Sequence, residues 1–140
     1  MTPETSQDFH VTIFHNPACG TSRNTLAMIR AGGREPEVVD YLQTGWTEPQ
    51  LRELMAASGL SARELMRDKG TPADELGLLR SDATEAAILS AMIAHPILVN
   101  RPIVATPKGV KLCRPSEAVF ELLDNPPASF TKEDGEVVRP

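Results

Sequence analysis

The stretch HVTIFHNPACGTSRNTLAMIRAGGREPEVVDYL, residues 10–42, decides the fold. His10 to His15 is a short run rich in β-branched and aromatic residues, which predicts a strand. Asn16-Pro17 ends it as a turn. From Gly20 to Ala31 the spacing is helical, with Leu26 and Ile29 on one face and Gly32-Gly33 as the stop. Glu37 to Leu42 reads as a second strand. Strand, helix, strand in so few residues implies a parallel pair with a right-handed crossover.

Working outward, the middle of the chain is helical. Thr47 and Gln50 form a capping box before Leu51, Leu54 and Met55, and Gly59 is the stop. Ser61 and Glu64 form a second box, with Leu60 and Leu65 on the staple positions and Arg67 at the end of a short helix. Asp82 with Glu85 is expected to cap a third helix carrying Ile88, Leu89, Met92 and Ile93, ended by Pro96. Strands then return. Ile103 to Ala105, the turn Thr106-Pro107-Lys108-Gly109, and Val110 to Leu112 predict a hairpin. Pro115 suits the first position of a last helix carrying Val119, Leu122 and Leu123. The expected fold class is α/β: a small mixed β-sheet flanked by helices, with a helical insertion between the βαβ and ββα units. There is no repeat and no internal boundary, so a single domain over 1–140 is expected. Residues 1–9 read as a flexible tail and 125–140 as a surface tail.

Composition limits the function classes. The 140 residues are 41% hydrophobic and 24% charged, ordinary for a globular chain that buries a core without disulfides. Aromatics are 4% and the net charge is -5, which argues against a nucleic-acid or anionic-membrane surface. Ten of the fourteen basic residues are Arg, the residue suited to bidentate oxyanion contacts. No apolar run is long enough to span a membrane, and the amino terminus lacks the pattern of a signal peptide, so a cytoplasmic protein is expected. Cys19 and Cys113 then read as a reactive thiol and a bystander. Three His and two Cys show no metal-ligand spacing, and no bound cofactor is expected.

The sharpest chemical feature is HNPACGTSR, residues 15–23. A strand ends, the chain turns, and Cys19 lands where a helix begins. The orphan N–H groups and positive dipole end there stabilise a thiolate and bind an oxyanion. Such placement can lower a thiol pKa into the range of roughly 3.5–7.5. Gly20, Thr21, Ser22 and Arg23 add donors beside it. A buried filler is the other fate of a free Cys, but these would be odd neighbours for a core residue. His15 is either an exposed strand-end histidine or a group that tunes the thiol. Arg67, Arg101 and Arg114 each sit at an element end. Taken singly an Arg is usually a solvated charge; gathered, three can clamp a tetrahedral anion. Arg30, Arg34, Arg52 and Arg63 read as solvated.

HNPACGTSRNTL (15–26), HPILVNRPIV (95–104), CRPSE (113–117) and FTKEDGE (130–136) together resemble the glutaredoxin-coupled arsenate reductases of bacteria, the ArsC family. The similarity runs from Val11 to Glu136. It implies a thioredoxin-like fold and a cytoplasmic monomer acting in arsenical resistance and detoxification. It implies Cys19 as nucleophile and His15 as the group influencing its thiolate. Arg67, Arg101 and Arg114 fall on the anion-binding positions, the match around Arg67 being the loosest, and Pro102 on the cis-proline position. The implied partners are arsenate, with glutathione as co-substrate and glutaredoxin as the reductant protein. Three other classes compete, one of them an inert anion-binding module, which would not need a thiol. A thioredoxin-like redox regulator would use Cys-x-x-Cys, but here the partner position is Ser22. A glutathione-dependent thiol reductase without arsenate activity would not need three arginines.

Overall fold

In the computed structural model, residues 9–140 are described. The expected flexible tail therefore lies outside the described residues except for Phe9, whose ring lies under the Arg34 guanidinium, 4.9 Å away.

The chain divides into two compact units, one from Met1–Asp40 with Arg101–Pro140 and the other from Tyr41–Asn100. The first unit is built on β1 (Thr12–His15), α1 (Gly20–Ala31), β2 (Glu37–Asp40), β3 (Ile103–Thr106) and β4 (Gly109–Leu112). The four strands form a mixed sheet in the order β2-β1-β3-β4. β1 is parallel to β2, with Ile13 opposite Val38. It is antiparallel to β3, with Ile13 opposite Val104. β3 and β4 form the hairpin read from the sequence, with Pro107-Lys108 at its tip. Ile13 and Val104, both at 0% exposure, share a core with Met28 and Ile29 of α1 and with Val119 and Leu122. These last two belong to a 3-10 helix over Ser116–Leu122. The sheet is thus flanked by helices through period-2 burial on one side and 3.6-period burial on the other.

The final helix is tighter than expected, and Pro115 stands at its cap, outside it. The carboxyl end, read as a surface tail, folds further. Phe130–Thr131 (β5) pairs with Val137–Val138 (β6), and Val138 joins the core. Its polar composition hid a two-stranded ribbon of two residues each, too short for periodicity to register.

The second unit is the helical insertion. It holds α2 (Tyr41–Thr44), α3 (Glu48–Ser58), α4 (Ala62–Leu65), α5 (Glu85–Ala94) and a 3-10 turn at Pro96–Leu98. Both capping boxes are present, at Thr47/Gln50 and Ser61/Glu64. Gly59 ends α3 at φ 75, a left-handed conformation that glycine adopts without a Cβ clash.

Three local expectations give way. The second strand stops at Asp40, and Tyr41 and Leu42 enter α2. Tyr41 is 1% exposed, its ring stacks on Trp46 at 5.1 Å and its hydroxyl donates to the Val99 carbonyl at 3.4 Å, so burial of one aromatic overrides β propensity. The cap of α5 is Thr84, which accepts from the Ala87 N–H at 3.1 Å, while Asp82 pairs with Arg80. α4 ends at Leu65, before Arg67, because Met66 turns to extended backbone and pairs with Val99.

Candidate active site

The site begins where β1 runs out. His15 and Asn16 are 7% and 3% exposed. The Asn16 side-chain Oδ1 accepts from the Ala18 N–H at 2.9 Å, and the Asn16 carbonyl accepts from the Cys19 N–H at 3.0 Å. This turn, built by an Asn side chain that substitutes for backbone, delivers Cys19 to the cap position of α1 in extended conformation. Its carbonyl then accepts the first helical bond, from Arg23 N–H at 2.9 Å. A sulfur thus stands where a capping oxygen usually stands.

Ser22 is fully buried and does two jobs from the first turn of α1. Its Oγ accepts from the Asn16 N–H at 3.1 Å and forms a second hydrogen bond with His15 Nδ1 at 2.6 Å. His15 therefore meets the site through Ser22. Burial holds its imidazole below the ordinary value, opposed by Asp40 and assisted by Arg30 and Arg23, so the ring is largely neutral at pH 7.

Two arginines converge on the sulfur from the other side of the unit. Arg114 Nη1 lies 3.9 Å from Cys19 Sγ and donates to the Arg101 carbonyl at 2.9 Å. Arg101 reaches the same sulfur with its guanidinium. The Arg101–Pro102 and Arg114–Pro115 bonds are both cis. The Pro102 carbonyl accepts from the Cys113 N–H at 2.9 Å, which ties the segment before β3 to the end of β4.

The electrostatic result is a lowered thiol. Burial pushes Cys19 up, but the Ser22 backbone N–H and the Arg101 and Arg114 guanidinium groups outweigh it and bring it from 9.0 to about 7. Cys19 is therefore far more readily ionised at neutral pH than an ordinary thiol. Cys113 behaves oppositely. At 0% exposure in the core, burial pushes it up to about 12, and it is protonated throughout the physiological range.

The structure thus gathers Cys19, His15, Ser22, Arg101 and Arg114 within the first unit, with Gly20 and Thr21 in the first turn of α1. Arg67 belongs to the second unit. There its backbone N–H donates to the Leu98 carbonyl at 2.7 Å and its Nε to the Lys69 carbonyl at 3.2 Å. Among the described residues there is no group of three or more His, Cys, Asp or Glu placed to hold a metal ion, and no helix is long and apolar enough to cross a membrane.

Two of the arginines read as solvated are engaged instead, and Arg23 meets a partner the sequence reading did not name. Arg63 donates to the carbonyls of Leu78, Arg80 and Ala83 and so organises that loop. Arg34 pairs with Asp124 beneath its contact with Phe9, and its side chain is only 16% exposed. Arg23, read as a donor beside Cys19, makes a two-pronged pair with Glu133. No sequence rule finds that last pair, because its members are 110 positions apart. The only signal was that both lie in stretches carrying the resemblance.

Comparison with known proteins places this geometry in context. The model of the ArsC family matches residues 14–122, which contain all the residues gathered around Cys19. An arsenate reductase of Synechocystis sp. is 56% identical over 129 residues, spanning 91% of this chain and 92% of that protein. The arsenate reductase of Escherichia coli (strain K12) is 52% identical over 130 residues, with 92% of each covered. The solved structure of an arsenate reductase from Vibrio cholerae superposes with a TM-score of 0.78 at 39% identity, covering 82% of this chain and 98% of that one. The small mixed sheet with its inserted helices is the thioredoxin-like architecture of these reductases. By family match, by identity over nine-tenths of its length and by fold, this chain belongs to the ArsC family.

Proposed function

We propose that this protein reduces arsenate to arsenite with electrons from glutathione and glutaredoxin, as a step in arsenic detoxification in the cytoplasm. One observation carries the reading: the Cys19 thiol sits near pH 7 under the Arg101 and Arg114 guanidinium groups, while the only other thiol is buried and held at about 12. The relatives named as arsenate reductases supply the substrate.

Arsenate is a tetrahedral oxyanion that exchanges its oxygen ligands readily. Arg101, Arg114 and the N–H groups of Gly20, Thr21 and Ser22 offset its charge, as a helix start and guanidinium forks do. From the resemblance, Arg67 is assigned an anion-binding role as well. The Cys19 thiolate attacks As(V), a sulfur–arsenic bond forms, and an arsenic oxygen leaves as water after taking up protons. Glutathione adds as a second sulfur ligand with loss of another water. A glutaredoxin thiolate then attacks the glutathione sulfur. Two electrons pass to arsenic, which becomes As(III), and a glutaredoxin–glutathione mixed disulfide departs. Water releases arsenite and restores the Cys19 thiol. Ser22 at the Cys-x-x position and the buried Cys113 leave no internal resolving thiol, which is why the second thiol comes from solution. His15, through Ser22, is assigned to hold the turn that presents the sulfur.

Phosphate fits the same donors, but phosphorus(V) is not reduced by thiols, so discrimination rests on chemistry as well as affinity. The direct test is arsenate-dependent NADPH oxidation with glutathione, glutaredoxin and glutathione reductase. Turnover that requires both thiol components is expected. Turnover with thioredoxin and no glutathione would overturn the choice of reductant, and no turnover with either would overturn the substrate.

A further inference from the structure

The turn between β5 and β6 is tied to the first turn of α1 at the point where Cys19 emerges. The Arg23 guanidinium uses all three of its nitrogens. Nε and Nη2 donate to the two oxygens of Glu133 at 2.9 and 3.1 Å, and Nη1 donates to the Pro17 carbonyl at 2.9 Å. The Glu133 N–H in turn donates to Asn24 Oδ1 at 3.0 Å. Pro17 lies two residues before Cys19, inside the turn that sets the position of the sulfur. Glu133 Oε1 is also close to the helix start, 3.8 Å from where a Cβ on Gly20 would stand.

A planar fork closed by a carboxylate has one orientation, whereas an open one samples many. An exposed ion pair adds little to global stability, so its consequence here is local: it fixes which way the remaining donor points. It also places a positive charge that acts on Cys19 and, paired with it at the helix start, a negative charge whose effect on a thiolate has the opposite sign. Of the described charged and titratable groups around this turn, Arg101 and Arg114 bond the sulfur and Arg23 acts on it through space; Glu133 is paired with Arg23 and His15 is bonded to Ser22.

We propose that Glu133 is a positioning residue for Cys19, closing the Arg23 fork so that Arg23 braces the Pro17 carbonyl and its charge is balanced beside the thiolate. This rests on Cys19 being the nucleophile of the proposed reaction. The test uses the full chain and reads the rate of Cys19 alkylation by iodoacetamide against pH, with peptide mass spectrometry to identify the modified thiol. Glu133→Gln removes the negative charge and should lower the midpoint. Arg23→Gln removes the positive charge and should raise it. Each shift should be roughly 0.2–0.5 pH unit, the size of an exposed charge nearby. A purely structural role would loosen the same turn in both variants and move both midpoints upward. Shifts of the same sign, or no shift in Glu133→Gln, would overturn the proposal.

Turnover gives the second arm. Each single variant should lose about two- to fivefold in kcat with KM little changed, and the double variant should be no worse than the poorer single. Glu133→Asp keeps the charge but shortens the fork, so it should lose kcat without moving the midpoint. Additive losses would show that Glu133 does not act through Arg23. If the wild-type chain fails to reduce arsenate, the functional reading fails on its own, and the alkylation profiles still decide the proposal.

Discussion

Cys19 and Cys113 are the same side chain in the same unit, and both lie next to Arg114, one in space and one in sequence. Cys19 is 9% exposed and falls to about 7; Cys113 is 0% exposed and rises to about 12. Burial raises both thiols. Only at the start of α1 do an aligned N–H and two guanidinium groups outweigh it. Arg114 follows Cys113 in the chain, yet its guanidinium points to the sulfur 95 positions away. The Cys113 thiol instead donates weakly to the Lys111 carbonyl, with Sγ 3.8 Å from the oxygen. Nearness in sequence says nothing about which thiol an arginine activates. What counts is where the turn from β4 into the 3-10 helix aims the side chain.

The contrast can be broken most completely by removing the reactive sulfur. Cys19→Ser should abolish arsenate reduction while the circular dichroism and melting temperature stay near wild type, because the change is nearly isosteric and removes only the nucleophile. Normal turnover by a folded Cys19→Ser protein would end the enzymatic reading. Next in size is the loss of the groups that distinguish the two thiols. Arg101→Lys or Arg114→Lys keeps the charge and loses the planar fork. Each should cost on the order of 2–4 kcal/mol in kcat/KM for arsenate. Lys variants with wild-type kcat/KM would remove these residues from the site.

The buried partner of the comparison predicts the reverse balance of effects. Cys113→Ser puts a hydroxyl among apolar side chains and should destabilise the fold by about 1–3 kcal/mol in denaturant unfolding. Cys113→Ala should cost less and leave kcat essentially unchanged. Loss of turnover in Cys113→Ala, with a Cys19–Cys113 disulfide in the oxidised wild type, would show that the buried thiol resolves the reaction internally.

The smallest effect is in pH dependence, where the two thiols act with opposite sign. Cys19 loses its proton near 7 when folded and near 9.0 when unfolded. Between these values the unfolded chain binds more protons, so this group makes stability rise with pH and its contribution is lost as pH falls through about 7. Cys113 keeps its proton to about 12 when folded. From about 9.0 upward the folded chain binds more protons, so this group makes stability fall. Urea midpoints measured from pH 6 to 10 should show the rising slope in wild type and not in Cys19→Ser. In Cys113→Ala the decline above pH 9 should be shallower. Identical profiles in all three proteins would contradict both assignments.

Local signals carried much of this molecule. β1, α1, the β3–β4 hairpin and both capping boxes are written in short-range chemistry: β-branched runs, a Gly-Gly stop, and Ser or Thr three residues ahead of Glu or Gln. Cys19 at a helix start was legible for the same reason, since the turn Asn16-Pro17 and the helix after it are set within a dozen residues. Where a distant contact competed, local reading failed. Tyr41 leaves the strand to bury its ring and donate to the Val99 carbonyl 58 positions on, and Met66 leaves α4 to pair with Val99.

By itself the sequence placed Cys19 at a helix start, set out the βαβ unit, the capped helices and the β3–β4 hairpin, and supplied the arginines, because each depends on neighbours a few bonds apart. Tertiary structure alone decided which thiol the Arg114 guanidinium approaches, that His15 bonds Ser22, that Arg63 gathers three loop carbonyls, and that Glu133 meets Arg23 across 110 positions. A side chain's direction at long range follows from how strands pair and where turns aim the chain. The identities of the nearest residues do not contain that information.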